Sequence, residues 1–143
     1  MNRQDEGIKL LKDIKNISRL IEQLQEEIDK TYTMLTSTTV KPKEVNVQSS
    51  GSTDPMADKM IQILEYQEQI ESYQLELCAK KSIAIQTMRS MEYKNQELLI
   101  LRYLKGHTIE QVAEILGRGS YYRTWEALHR AEEEFCEIFS TTG

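Results

Sequence analysis

The stretch NQELLILRYLKGHTIEQVAEILGRGSYYRTWEALHRA, residues 95–131, decides the fold. Over 95–104 it is apolar on most sides, through Leu98, Leu99, Ile100, Leu101, Tyr103 and Leu104, which is the composition of a helix central to a small core. Gly106 ends that helix. Thr108, with Gln111 three residues later, has the form of a capping box. It opens a short helix whose inner face is Ile109, Val112, Ala113 and Leu116. Gly117-Arg118-Gly119-Ser120 reads as a tight turn, and Gly117 can take the positive φ such a turn needs. A last helix is predicted over about 121–139.

A helix, a glycine-containing turn and a second helix within 108–131 fit the helix-turn-helix pattern. Ala113 supplies the small side chain where the two helices cross. On the last helix Tyr121, Leu128, Ala131, Phe135 and Ile138 form the inner stripe, with Thr124 and Trp125 beside it. Arg123, Glu126, Ala127 and Arg130 share the opposite face. In this motif the start of the second helix enters the DNA major groove. Arginine can hold a guanine edge with two hydrogen bonds, and glutamate can accept one from cytosine. The candidate DNA-binding set is therefore Arg118, Ser120, Tyr122, Arg123, Glu126, His129 and Arg130. Arg118 and Ser120 suit phosphate, and His129 suits phosphate or solvent. Tyr122 stands at the edge of the outer face, whereas Tyr121 and Trp125 read as core. Glu132, Glu133, Glu134 and Glu137 extend the helix with charge that keeps its far end off phosphate.

Upstream the rhythm is that of long helices. Leu10, Ile14, Ile17, Ile21, Leu24 and Ile28 alternate in steps of four and three, a heptad seam within a helix expected over about 8–35. Residues 36–53 are β-branched, polar and glycine- or proline-bearing, the composition of a long connection. Asp54-Pro55 then reads as an N-cap followed by proline at the first helical position. A second helix is expected over about 55–90, with Met56, Ile63, Ile70, Leu77, Ala84 and Met91 recurring every seventh residue. Met60, Gln67, Gln74, Lys81 and Met88 fill the alternate seam positions, and Tyr66 and Tyr73 add a second line.

The fold class that follows is all-α: a coiled-coil-like helical hairpin over 1–91, with a flexible linker over 36–53, and a helix-turn-helix bundle over 92–143. The seam residues Leu10, Ile14, Ile17, Ile21, Leu24, Ile28, Ile63, Ile70 and Leu77 are assigned to self-association, making a homo-oligomer. The alternative is a helical pair closed within one chain.

Charge limits the DNA reading to a local patch. Net charge is −5, and residues 92–143 hold six basic against nine acidic side chains. Between residues 118 and 130, however, three arginines face one glutamate. The longest apolar run is four residues, 98–101, too short for a membrane span, and the first residues carry no apolar signal core. A cytoplasmic protein without a membrane partner is expected. Cys78 and Cys136 stand far apart, outside any CxxC pair, and read as reduced cysteines on helix faces. His107 and His129 have no ligand-spaced neighbours, so no metal is expected. No nucleophile motif, phosphate loop or acid/base pair is present to suggest an enzyme or a cofactor.

Residues 96–106 and 108–117, together with Leu128-His129-Arg130-Ala131, resemble region four of bacterial sigma factors. That resemblance implies promoter DNA as the ligand of the second helix of the motif. The turn is one residue longer here, and the sigma regions that bind core polymerase have no counterpart, so a complete sigma factor is not implied. The whole-chain arrangement is similar to phage late-transcription regulators of the RinA and ArpU type. These join an N-terminal helical segment, a Ser/Gly/Asp-containing connection (here residues 45–55), a second long helix and a sigma-like module. The resemblance implies an activator of bacteriophage or prophage late genes in a bacterial host, with double-stranded DNA and host RNA polymerase as partners. Two other readings remain open: a DNA-packaging recognition subunit of the small-terminase kind, and a protein–protein adaptor or anti-repressor that has lost DNA binding.

Overall fold

A computed structural model describes residues 3–38 and 54–142. They form five helices: α1 (Arg3–Thr38), α2 (Pro55–Met88), α3 (Tyr93–Leu99, continued by a π turn over Ile100–Leu104), α4 (Ile109–Ile115) and α5 (Tyr121–Thr142). Two long helices followed by a bundle of shorter ones make the all-α architecture the sequence predicts. None of the helices is long and apolar enough to cross a membrane.

Helix α1 is longer at both ends than its apolar pattern. Asp5 and Glu6 lie in its first turn, where the helix dipole favours negative charge. At the other end Thr36 and Ser37, read from sequence as linker, remain helical. The Thr36 hydroxyl donates to the Tyr32 and Thr33 carbonyls at 3.3 and 3.0 Å, and Ser37 donates to the Met34 carbonyl at 3.3 Å. Such back-bonding lets hydroxyl residues occupy a last turn. The rest of the expected linker, 39–53, lies outside the described residues. Helix α2 starts as predicted: the Met56 N–H donates to the Asp54 carboxylate at 3.0 Å.

The compact units do not divide at 91/92 as expected. One comprises 1–18 and 76–143, the other 19–75. In the first, Leu10, Leu11 and Ile14 of α1 and Ala84 and Met88 of α2 share a core with Leu98, Leu99, Tyr103, Val112, Leu128, Ala131 and Phe135. The ends of the long helices are therefore walls of the bundle rather than a separate stalk. Gly7 shows why α1 sits so near α5. A Cβ there would stand 3.1 Å from the Cys136 sulfur and 3.5 Å from the Phe139 ring. In the second unit Ile28, Leu35, Ile63 and Ile70 are buried, with Ile21, Leu24 and Tyr66 packed against them.

This burial accounts for the residues assigned to self-association within a single chain. Leu10, Ile14, Ile17, Ile28, Ile63 and Ile70 are all buried within one chain, and Ile21, Leu24 and Leu77 are half-buried against the same cores. Within one chain these residues pack into its own two cores. Both cysteines are free thiols on helices; Cys136 is buried in the core and Cys78 is exposed.

Phe135 has no exposed surface. Phe135→Ala is expected to cost about 3–5 kcal/mol in urea denaturation. Ile115→Ala, on the exposed side of α4, should stay within about 0.5 kcal/mol.

Candidate nucleic-acid interface

The helix-turn-helix is built from local signals that the sequence carries in full. The Thr108 hydroxyl accepts from the Gln111 N–H at 3.1 Å, and the Gln111 side chain accepts from the Thr108 N–H at 2.9 Å. This reciprocal box satisfies two N–H groups that the start of α4 leaves without partners. Helix α4 ends in a Schellman motif. The Gly117 N–H donates to the Glu114 carbonyl at 3.1 Å and the Arg118 N–H to the Ala113 carbonyl at 2.9 Å, with Gly117 at φ +67°. Gly119 also takes a positive φ, +70°. Two left-handed residues separated by Arg118 shape this turn. Ser120 then caps α5, its hydroxyl accepting from the Arg123 N–H at 3.3 Å. The buried Thr124 hydroxyl is satisfied by the Ser120 carbonyl at 2.8 Å.

Helix α5 buries Thr124, Ala127, Leu128, Ala131, Phe135 and Cys136. Two residues are thereby reassigned. Ala127, placed on the outer face, is buried because the crossing with the bundle falls on its side of the stripe. Tyr121, placed on the inner stripe, is exposed because it stands in the first turn, ahead of that core. Of the predicted DNA-binding residues, Arg118, Tyr122, Arg123, His129 and Arg130 are exposed, and Ser120 and Glu126 are half-buried. Ser120 is occupied as a cap. Arg123 and Arg130 stand seven residues apart, two turns along one flank. Among the described residues no carboxylate lies within ion-pair distance of Arg118, Arg123 or Arg130. All three guanidinium groups are free to meet phosphate or base edges.

The other flank of α5 has a different chemistry. Tyr122 stacks on Trp125 with ring centroids 5.9 Å apart, and Trp125 meets the edge of His129 at 4.1 Å. Trp125, read as core, is 40% exposed. It borders an open groove of about 580 Å³ whose floor includes Ile8, Ile109 and Leu128, with Asp5, Glu132, Glu133 and Glu137 and also Lys12 and Arg102 around it. His129 belongs to this flank through its contact with Glu132, Nδ1 to Oε1 at 3.5 Å. The acidic run also divides. Glu132 accepts from the Tyr103 hydroxyl, and Glu134 accepts from the Asn95 side chain at 2.6 Å and the Glu92 N–H at 3.4 Å. Only Glu133 and Glu137 of the run are exposed. Sequence reasoning missed both tethers, because a glutamate on a helix reads alike whether it meets water or a phenol.

Tyr103 lies in the π turn, where the Lys105 N–H reaches back to the Ile100 carbonyl at 2.8 Å. Such turns recur at functional sites, and this one brings a phenol to the groove. Burial, then the hydrogen bond to Glu132 and its charge, hold the Tyr103 phenol well above its ordinary range. Burial, and next the Glu132 charge, push the Cys136 thiol up to about 11.

Comparison with protein-family models gives no match, and comparisons with curated proteins and solved structures give no significant one.

Both raised groups are neutral acids in the folded chain, so the unfolded chain releases their protons first. Stability should be flat to about pH 8 and then fall as the free thiol and, later, the free phenol of the unfolded chain titrate. The thiol alone accounts for on the order of 2 kcal/mol by pH 11. Urea midpoints measured from pH 8 to 11 check this. Cys136→Ala should flatten the first part of the decline and Tyr103→Phe the later part.

Proposed function

We propose that the chain is a sequence-specific DNA-binding transcription regulator that reads its site through the arginine flank of α5. The observation that carries this reading is the helix-turn-helix of α4 and α5 with Arg118, Arg123 and Arg130 exposed and unpaired. Arg118 stands in the turn, where it would meet phosphate and set the docking angle. Arg123 and Arg130 project where α5 would lie in the major groove, suited to bidentate contact with guanine. The resemblance of residues 96–117 to sigma region four supports promoter DNA as the target. The likeness of the whole layout to phage late-gene activators supports that role, in a bacterial cytoplasm and alongside host RNA polymerase.

The acidic balance sets the energetics. Few phosphate contacts mean a shallow salt dependence and weak non-specific binding. One head of this kind gains usable affinity by acting in pairs on repeated half-sites.

Fluorescence anisotropy on tiled fragments of the source genome, at several salt concentrations, tests this proposal. One fragment should bind far more tightly than the rest. Arg123→Ala and Arg130→Ala should each cost about 1–3 kcal/mol there, while Arg118→Ala weakens all fragments alike and reduces the salt slope by about one. Equal weak binding of every fragment by wild type and variants would reject the DNA reading.

A second reading, a protein-binding adaptor, draws on the Trp125 groove. Its four carboxylates outnumber Lys12 and Arg102 in the same lining, and this net negative rim beside an apolar floor suits a cationic, partly apolar segment of a partner protein. The single tryptophan of the chain reports on it directly. A saturable Trp125 fluorescence change with a Lys/Leu helical peptide, absent with its Glu/Leu counterpart and lost in Glu133→Lys/Glu137→Lys, would favour this reading.

A further inference from the structure

The first turns of α5 leave two large rings in water, Tyr122 exposed to 63% and Trp125 to 40%. Aromatic side chains carry a large apolar area, and a cluster of them at the surface marks a place of contact. Tyr122 stands nine residues before Ala131, two and a half turns of helix, so it points directly away from a residue with no exposed surface. It is thus the outermost side chain at the start of α5, rather than one at the edge of the outer face. The ring is also held in place. It stacks on Trp125 with centroids 5.9 Å apart and planes 23° from parallel. Trp125 is held in turn by the edge of His129 at 4.1 Å. A ring already fixed loses little freedom when a ligand meets it.

The surroundings limit what the Tyr122 ring can meet. From Arg118 to Trp125 the chain carries two arginines and no carboxylate. Glu126, the next residue, is half-buried. An apolar ring between unpaired guanidinium groups fits an anionic ligand that also bears an apolar group. In the major groove of duplex DNA one group answers that description, the C5-methyl of thymine. The other base edges there offer hydrogen-bond donors and acceptors, which suit Arg123 and not the face of a phenol ring. Arg123 and Tyr122 are neighbours on one turn, so the two bases they meet lie within about two steps of 3.4 Å along the groove.

We propose that Tyr122 reads thymine, packing its ring on the C5-methyl of a base close to the guanine that Arg123 holds. This contact rests on the DNA reading of α5 and adds a second base to it. Its strength is that of one methyl group removed from water, about fourfold in affinity. The ring supplies the contact and the Tyr122 hydroxyl is not needed for it. The two kinds of side chain then divide the work: arginine selects guanine by paired hydrogen bonds, and tyrosine selects thymine by apolar contact. Cytosine, which lacks the methyl, is discriminated against at the tyrosine position.

The genomic fragment bound most tightly by the full chain, made once with thymine and once with deoxyuridine in its place, tests this contact. Uracil pairs as thymine does and lacks only the methyl. Wild type should bind the uracil duplex at least about fourfold more weakly in fluorescence anisotropy. Tyr122→Phe should keep that difference. Tyr122→Ala should bind both duplexes alike with an unchanged helical circular dichroism spectrum, since the side chain is exposed. The alanine variant also separates contact from any effect of the methyl on duplex shape. Equal binding of the two duplexes by wild type overturns the proposal, while a loss in Arg123→Ala on the same fragment leaves the DNA reading standing. A methyl effect of full size in Tyr122→Ala overturns it as well, because another group then reads thymine. Equal weak binding of every genomic fragment overturns both together.

Discussion

The burial of Phe135 and its neighbours along one stripe of α5 is the contact on which the C-terminal unit depends. Thr124, Ala127, Leu128, Ala131 and Phe135 are buried in the unit that also contains Leu11 and Ile14 of α1, Leu98 and Leu99 of α3, and Val112 of α4. Small residues at 127 and 131 let neighbouring helices approach, and Phe135 and Leu128 fill the space between them. This is close packing in which one lost side chain is felt by several helices at once. Because α5 is held by this stripe, its remaining sides are determined. One flank carries Arg123 and Arg130, the other Trp125 and His129, and Tyr122 lies toward the second. What α5 can recognise follows from what it must bury.

The start of α1 belongs to the same unit, and that has a cost in sequence. Gly7, within a helix, forgoes roughly 0.5–1 kcal/mol relative to alanine. The return is room for Cys136 and Phe139 to approach the α1 backbone. Asp13 completes the contact at the surface, meeting Lys9 at 2.9 Å and Lys80 at 3.5 Å. Both pairs are at least partly exposed and count for little beyond orientation. The apolar contacts of Leu11 and Ile14 carry the association.

The carboxylates around α5 divide by location rather than by kind. Glu134 ties the start of α3 to α5, Glu132 ties the π turn to it, and Glu133 and Glu137 face solvent. The negative charge that counts against DNA binding in composition is thus partly consumed as structure. The exposed arginines, by contrast, have no internal partners. A globally acidic chain can in this way present a locally positive flank, because short-range geometry governs which charges a ligand meets.

Much of the fold was legible in the residues alone, wherever the deciding interaction is local. Heptad spacing marks α1 and α2, Asp54-Pro55 marks where α2 starts, Thr108 and Gln111 form their capping box, and Gly117 takes the left-handed turn. Each involves residues a few places apart, so the chain needs no distant partner to specify it. The sequence by itself determined the helices, their caps and the order in which they follow. Only the tertiary structure decided which side of each helix is covered. It put Ala127 inside and Tyr121 outside, closed the seam of Leu10, Ile14, Ile28, Ile63 and Ile70 within the chain, and left Ile61, Leu64 and Leu75 open. It also turned Glu132 and Glu134 inward to Tyr103 and Asn95, and made the ends of the long helices part of the bundle. Periodicity names the sides of a helix but not their neighbours, because those neighbours come from residues far away in sequence, and only the packed chain brings them together.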